Sequence, residues 1–295
     1  MIERVSTKEL YQKYSQSIQE PEARYLKSYQ KLTSGKNFTQ PSENPVGFDF
    51  CVNSTHIKES LEQYQANITY GKQSLSASNH ALNEAYSLFQ TVSTLTLQGI
   101  NATTSSSGLQ ALVQEINSLQ QRLVSVANSQ GPNGEYLFAG QKTSTLPFTI
   151  SSNSLTYNGD TNPLSIEQGP GVLATINVQA GTLFTDAYQT LETLKNDLVS
   201  GNGLTLSATD LQNIKTTMQD IAQQQAFAGS QIQMLEEAST SNSRRIENLQ
   251  NQIADIQDTD WSKAIMDYSE ARNVYLAALE STSKIAEFSL LDFLH

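Results

Sequence analysis

Leu211 to Ile256 reads LQNIKTTMQDIAQQQAFAGSQIQMLEEASTSNSRRIENLQNQIADI. Within it Leu211, Ile214, Met218, Ile221, Gln225, Ala228, Ile232, Leu235, Ser239, Asn242, Ile246, Leu249, Ile253 and Ile256 follow one another at alternating steps of three and four. That spacing keeps one face of a helix turned to a partner helix, the signature of a coiled-coil seam. At 1.5 Å per residue the stretch makes a rod of roughly 70 Å. A seam this long needs a partner of matching length, and the first half of the chain contains one. Ile57, Leu61, Tyr64, Ile68, Gly71, Leu75, Ser78, Leu82, Ala85, Phe89 and Val92 repeat the pattern, which predicts a helix from about Glu43 to Gly99. The polar run Asn101 to Gly108 breaks it, and Leu109, Leu112, Ile116, Leu119, Leu123 and Val126 restart it as a shorter helix that turns back.

Working outward, Asp258, Thr259 and Asp260 interrupt the register and offer N-cap oxygens to a helix starting near Trp261. That last segment carries Trp261, Ala264, Tyr268, Ala271, Tyr275, Ala278 and Ile285 on one stripe. Tyr11, Tyr14, Ile18, Tyr25 and Leu32 form a matching stripe at the other end, where Pro21 is expected to kink or restart the helix. Between the halves, Gly134 to Phe184 has short alternating runs, several glycines and Asn158-Gly159-Asp160, a hairpin-turn signal. A helix near Asp186 to Val199 follows and ends at the glycine-rich Ser200 to Gly203, before Ser207 or Thr209 caps the rod. The expected fold is mainly α: a long antiparallel coiled-coil bundle of the N- and C-terminal halves, with a small β-rich central domain. The expected segments are an end helix over 1–34, rod halves over 35–132 and 204–258, the central domain over 133–203, and a second end helix over 259–295.

The 295 residues are ample for a core, yet only 16% are charged and the formal net charge is -11. Clustered Lys and Arg for binding phosphates are missing, which argues against a nucleic-acid partner. A single cysteine, Cys51, leaves no intramolecular disulfide and reads as a buried or idle thiol. Met1 to Leu10 has no apolar run of the secretory type, and no stretch of about 18 consecutive apolar residues predicts a membrane span. His56, His80 and His295 lie at no metal-ligand spacing from Cys, Asp or Glu, and no Gly-x-Ser-x-Gly elbow or phosphate loop occurs. Neither a catalytic residue, a metal nor a cofactor is expected. Paired carboxylates such as Glu236 and Glu237 read as a solvated helix face.

Leu32-Thr33-Ser34-Gly35-Lys36, followed by Pro41-Ser42-Glu43-Asn44-Pro45, resembles the flagellin superfamily. The Arg4-Val5-Ser6-Thr7 start, Gly134 to Gly140 with Thr143 and Pro147-Phe148, Tyr157 to Asp160, and the Ser289 to Leu294 ending narrow the likeness. They resemble its hook–filament junction proteins, with the motifs in the family's order along nearly the whole chain.

The resemblance implies a subunit of an adaptor ring between the hook, through hook-associated protein 1, and the flagellin filament. It also implies extracellular placement in the bacterial flagellum, reached unfolded through the flagellar type III apparatus with a cytosolic export chaperone, and contacts with copies of itself. Assembly contacts are assigned to Leu10, Tyr14, Ile18, Tyr268, Tyr275, Leu279, Leu290, Leu291 and Phe293, because the tyrosine-rich ends are too poor in aliphatics to stand alone. Met1 to about Ser34 and Trp261 to His295 are accordingly expected to fold fully only against neighbouring subunits. Ser34, Gly35, Pro41, Ser42 and Pro45 mark an extended crossing segment, which by the resemblance joins inner and outer layers. A flagellin filament subunit is the nearest competing reading. A secreted host-binding adhesin, and then an enzyme carried in the insert, follow.

Overall fold

The computed structural model describes residues 7–101, 106–151, 153–200 and 208–293. Among the described residues are six helices, α1 (Thr7–Ser34), α2 (Pro45–Asn101), α3 (Ser106–Ala127), α4 (Gly181–Val199), α5 (Ala208–Gln257) and α6 (Trp261–Phe293). Four short strands, β1 (Phe148–Ser151), β2 (Ser154–Tyr157), β3 (Ser165–Gly169) and β4 (Val172–Thr175), form two antiparallel hairpins between α3 and α4. The chain is thus mainly α with a small β region in its middle. It divides into two compact units, one of residues 1–59 with 245–295 and one of residues 60–244, so α2 and α5 each supply residues to both.

In the unit of residues 60–244 the seam of α2 is closed. Leu61, Ile68, Leu75, Ser78, Leu82, Ala85, Phe89 and Val92 are all buried. Of these, Ile68, Leu75, Leu82, Ala85, Phe89 and Val92 share a core with Ile116 and Leu123 of α3, Leu191 and Leu194 of α4, and Ile214, Ile221, Ala228 and Leu235 of α5. The direction of α5 against α2 is set by polar pairs along the seam. Gln65 meets Ser239, Lys72 Nζ lies 3.0 Å from Glu236 Oε1, and Gln225 Nε2 donates to Asn83 Oδ1 at 2.7 Å. Residue numbers rise along one helix as they fall along the other, so the two are antiparallel. Gly71 sits where a seam side chain is due. A Cβ there would meet Ile166, Ile176 and Leu235 at 2.7 to 3.3 Å, so glycine lets the β3–β4 hairpin approach α2.

The seam differs from expectation at its start, where Ile57 is 42% exposed. Counting back from Leu61 in steps of three and four reaches Lys58, Ser54 and Cys51, and Ser54 and Cys51 are the buried pair, which leaves Ile57 one position off the face. Two further corrections concern the insert and the first helix. Asn158-Gly159-Asp160 is not a hairpin turn. The β1–β2 hairpin closes at Asn153, with φ 61°, and β3–β4 closes at Gly171, with φ 70°. Residues 158–160 instead clasp the preceding loop. The Asp160 N–H donates to Ala139 O at 3.1 Å, and Asp160 Oδ1 accepts the Gln141 and Asn162 N–H groups at 3.0 Å each. Gly140, at φ 70°, lets its backbone lie against Asp160. Beside this clasp Phe138 packs edge-on against Phe184 at a centroid distance of 5.0 Å, and Phe148 meets Phe184 at 5.5 Å. Pro21 does not restart the first helix, because α1 runs unbroken through it.

Candidate assembly surface

The unit of residues 1–59 and 245–295 is built on α1 and α6. Apolar and small residues recur along both at steps of three and four. Ile18, Pro21, Tyr25, Ser28 and Leu32 on α1 are half-buried, as are Tyr268, Ala271, Tyr275 and Ala278 on α6, with Ala264 buried. The tyrosines make the contact. Tyr25 stacks on Tyr275 with centroids 5.5 Å apart and planes at 8°, and touches Tyr268 at 5.6 Å; Tyr29 lies 6.2 Å from Tyr268. Hydrogen bonding by Tyr268 pushes the Tyr25 phenol above its usual range. Aromatic rings bury much area for few rotatable bonds, so short stripes of them join two helices where aliphatics are sparse.

The two crossovers into and out of this pair are tied together. α1 ends at Ser34, and Gly35, at φ 69°, caps it by donating its N–H to Lys31 O at 3.0 Å. Gly35 O then accepts the Thr259 N–H at 2.9 Å, Lys36 bridges to Asp258, and Asn37 donates its backbone N–H to Gln257 O at 2.6 Å and its side-chain amide to Asp258 O at 2.7 Å. Trp261 covers the joint, its Cζ2 3.1 Å from where a Cβ on Gly35 would stand. Asp260 caps α6 as expected, its Oδ1 accepting the Ser262 N–H at 2.8 Å. Trp261 itself is 56% exposed and lies off the buried stripe to which the periodicity assigned it.

The crossing segment is turned rather than extended throughout. Gln40 O accepts the Glu43 N–H at 3.1 Å across Pro41 and Ser42, as suits proline at the second place of a β-turn. The Thr39 N–H donates to Glu43 Oε2 at 2.9 Å, which, more than nearby Lys27 and Lys31, holds the Glu43 carboxyl below its usual pKa. Pro41 and Ser42 are exposed. Pro45 opens α2, where Asn44 Oδ1 caps by accepting the Gly47 N–H at 3.0 Å. Cys51 is buried, and that burial raises its thiol pKa.

Of the residues assigned to assembly, Ile18, Tyr268 and Tyr275 lie on the half-buried stripe, and Leu279 is 38% exposed beside it. Leu10 and Tyr14 lie in α1, and Leu290, Leu291 and Phe293 in α6, but their side chains fall outside the described residues. Sequence reasoning missed the Gly35–Thr259 tie and the Asn37 contacts, which join residues more than two hundred positions apart. The Gly and Asp caps at either end were its visible trace. Among the described residues no group of three His, Cys, Asp or Glu is placed to hold a metal ion, and no helix is long and apolar enough to cross a membrane.

The chain-end helices form a tyrosine-seamed pair in one unit, and α2 and α5 run antiparallel in the other. Residues 5–143 match the family model of the bacterial flagellin N-terminal helical region. Flagellar hook-associated protein 3 of Escherichia coli is 23% identical over 97% of this chain and 98% of its own length. The structure of FlgL from Bacillus cereus superposes with a TM-score of 0.59 at 24% identity, covering 67% of this chain and 97% of that one. A flagellin of Clostridium tyrobutyricum is 24% identical over 46% of this chain and 36% of its own. Residues 5–143 thus resemble a flagellin N-terminal helical region, and the chain is similar from end to end to flagellar hook-associated protein 3, which supports a structural role in the bacterial flagellum.

Proposed function

We propose that this chain forms the adaptor ring through which the hook, capped by hook-associated protein 1, is joined to the flagellin filament. The observation that carries this reading is the whole-length likeness to hook-associated protein 3, whereas the likeness to flagellin stops at about half the chain. The surface supports it. On α1 and α6, Leu26, Tyr29, Ile265, Met266, Val274 and Leu276 are between 48% and 64% exposed, apolar surface of the kind that serves protein–protein contacts. Such a surface serves packing rather than catalysis, and the role is structural, not enzymatic. Neighbours below and above differ, so the contacts are head-to-tail and unclosed by two-fold symmetry. Export through the flagellar type III apparatus with a cytosolic chaperone, and final placement outside the cell, are part of the same reading. So are the assembly roles of Leu10, Tyr14, Leu290, Leu291 and Phe293, and the interlayer role of Ser34 to Pro45.

Deleting the gene from its own strain tests the junction. Bare hooks with flagellin shed into the medium, restored to filaments by the full chain, are expected; normal filaments on the deletion strain would refute the role. In the free subunit α1 and α6 are loosely held, because their exposed side chains await neighbours. Amide exchange on the isolated protein should be fast along both helices and slow in residues 60–244, and slow exchange along all of α1 and α6 would count against completion by neighbours.

A further inference from the structure

The tyrosine seam carries a chemistry that packing does not use. We propose that Tyr25 and Tyr268 form a site of oxidative coupling, where a one-electron oxidant of the peroxidase class, fed by hydrogen peroxide, links α1 to α6 within one chain by a dityrosine bond. Both helices belong to the unit of residues 1–59 and 245–295. Among the described residues, every contact between two tyrosine rings is made by Tyr25, Tyr29, Tyr268 and Tyr275. Tyr25 is the hub, its ring centroid 5.6 Å from that of Tyr268 and 5.5 Å from that of Tyr275.

The ring angles decide which pair couples. A phenoxyl radical carries its unpaired electron on the oxygen and on the two ring carbons flanking the C–O carbon, so coupling needs the phenolic ends of two rings to meet. Tyr25 and Tyr268 are tilted by 35° and hydrogen-bond through their hydroxyls, which sets those carbons side by side. Tyr25 and Tyr275 are stacked at 8°, so their reactive edges lie in separate parallel planes. Tyr25 and Tyr268 are half-buried, whereas Tyr29 is 48% exposed with its centroid 6.2 Å from that of Tyr268. Tyr29 is therefore the ring an oxidant meets first, and the electron deficit passes from it to Tyr268. In the coupling, Tyr25 and Tyr268 each give up one electron and one proton. The radicals join carbon to carbon, and the hydrogen on each joined carbon returns to its own ring's oxygen as aromaticity is restored. Hydrogen peroxide takes up the two electrons and two protons and leaves as two waters. The bond closes a loop between residues more than two hundred positions apart, which removes freedom from the opened chain and holds the end helices together without neighbouring subunits.

The test treats the full-length chain, as dilute free subunits, with a peroxidase and hydrogen peroxide. Dityrosine fluorescence is expected in chains that still migrate as monomers, with a Tyr25–Tyr268 cross-linked peptide as the main product in mass spectrometry. Tyr25→Phe keeps the ring in place but has no phenolic hydrogen to lose, so it should abolish that product, while Tyr275→Phe should retain it. Amide exchange along α1 and α6 should be slower in the oxidised wild type than in Tyr25→Phe treated in the same way. Absence of dityrosine, cross-linked dimers in place of monomers, a predominant Tyr25–Tyr275 product or an undiminished yield in Tyr25→Phe would each overturn the assignment, and none of these outcomes bears on the junction role.

Discussion

At the scale of single residues, caps and close approaches organise both units of the chain. Asp260→Ala removes the oxygen that accepts the Ser262 N–H, and should cost about 1 kcal/mol of α6 stability, read as faster exchange in its first turns. Gly140→Ala forces a left-handed φ on alanine and drives its Cβ into the Asp160 carbonyl oxygen. Backbone strain alone is about 1 to 2 kcal/mol, measured as a lowered urea midpoint for residues 60–244. Asp160 adds a pH dependence. The Gln141 N–H, then the Asn162 N–H and Lys142, hold its carboxyl below the usual aspartate pKa. A depressed folded-state pKa contributes stability above the unfolded value of about 3.9 and loses it as pH falls through the folded one. Unfolding curves of wild type and Asp160→Asn should therefore differ at neutral pH and converge in strong acid; a constant gap would mean that the carboxylate charge is irrelevant. The cap at Asp260 was legible in the sequence because it depends on neighbours within three or four residues. The clasp at Asp160 was not. Asn-Gly is a turn signal by local conformation, and only contact with Ala139 and Gln141, about twenty residues away, decides what it serves.

At the scale of elements, the long helices were legible almost residue by residue from Leu61 to Val92 and from Ile214 to Leu235, because a seam buried along its length demands an uninterrupted period. Where burial weakens, the reading weakens with it. Ile57 and Trp261 are exposed although both satisfy a local spacing. Pro21 lies twelve or more residues from either end of α1 and is tolerated there without interruption, in a helix whose one flank is open to solvent. The crossing segment makes a prediction at this scale. Its Gln40–Glu43 turn and Asn44 cap only shape the chain between α1 and α2. Deleting Gln40 to Asn44 should abolish incorporation into flagella while circular dichroism shows nearly unchanged helix content; parallel loss of both would confine the segment to folding.

At the scale of the whole molecule, a junction subunit and a filament subunit are separated by what they add to. Offered filament seeds, flagellin is expected to elongate them, whereas this chain should stop after a limited layer. Sustained elongation, followed by electron microscopy, would return the flagellin reading to first place. The amino-acid sequence by itself determined the helical class, the antiparallel matching of its two halves and the position of the small β region, because hydrophobic period and turn chemistry are local and repeat. It also carried the motifs that resemble the flagellin superfamily. Only the tertiary structure decided that Gly35 to Asn37 is tied to Gln257 to Thr259 and that residues 158–160 are a clasp. Those properties arise where segments far apart in the chain meet, and which face of a helix stays uncovered depends on where its partner lies.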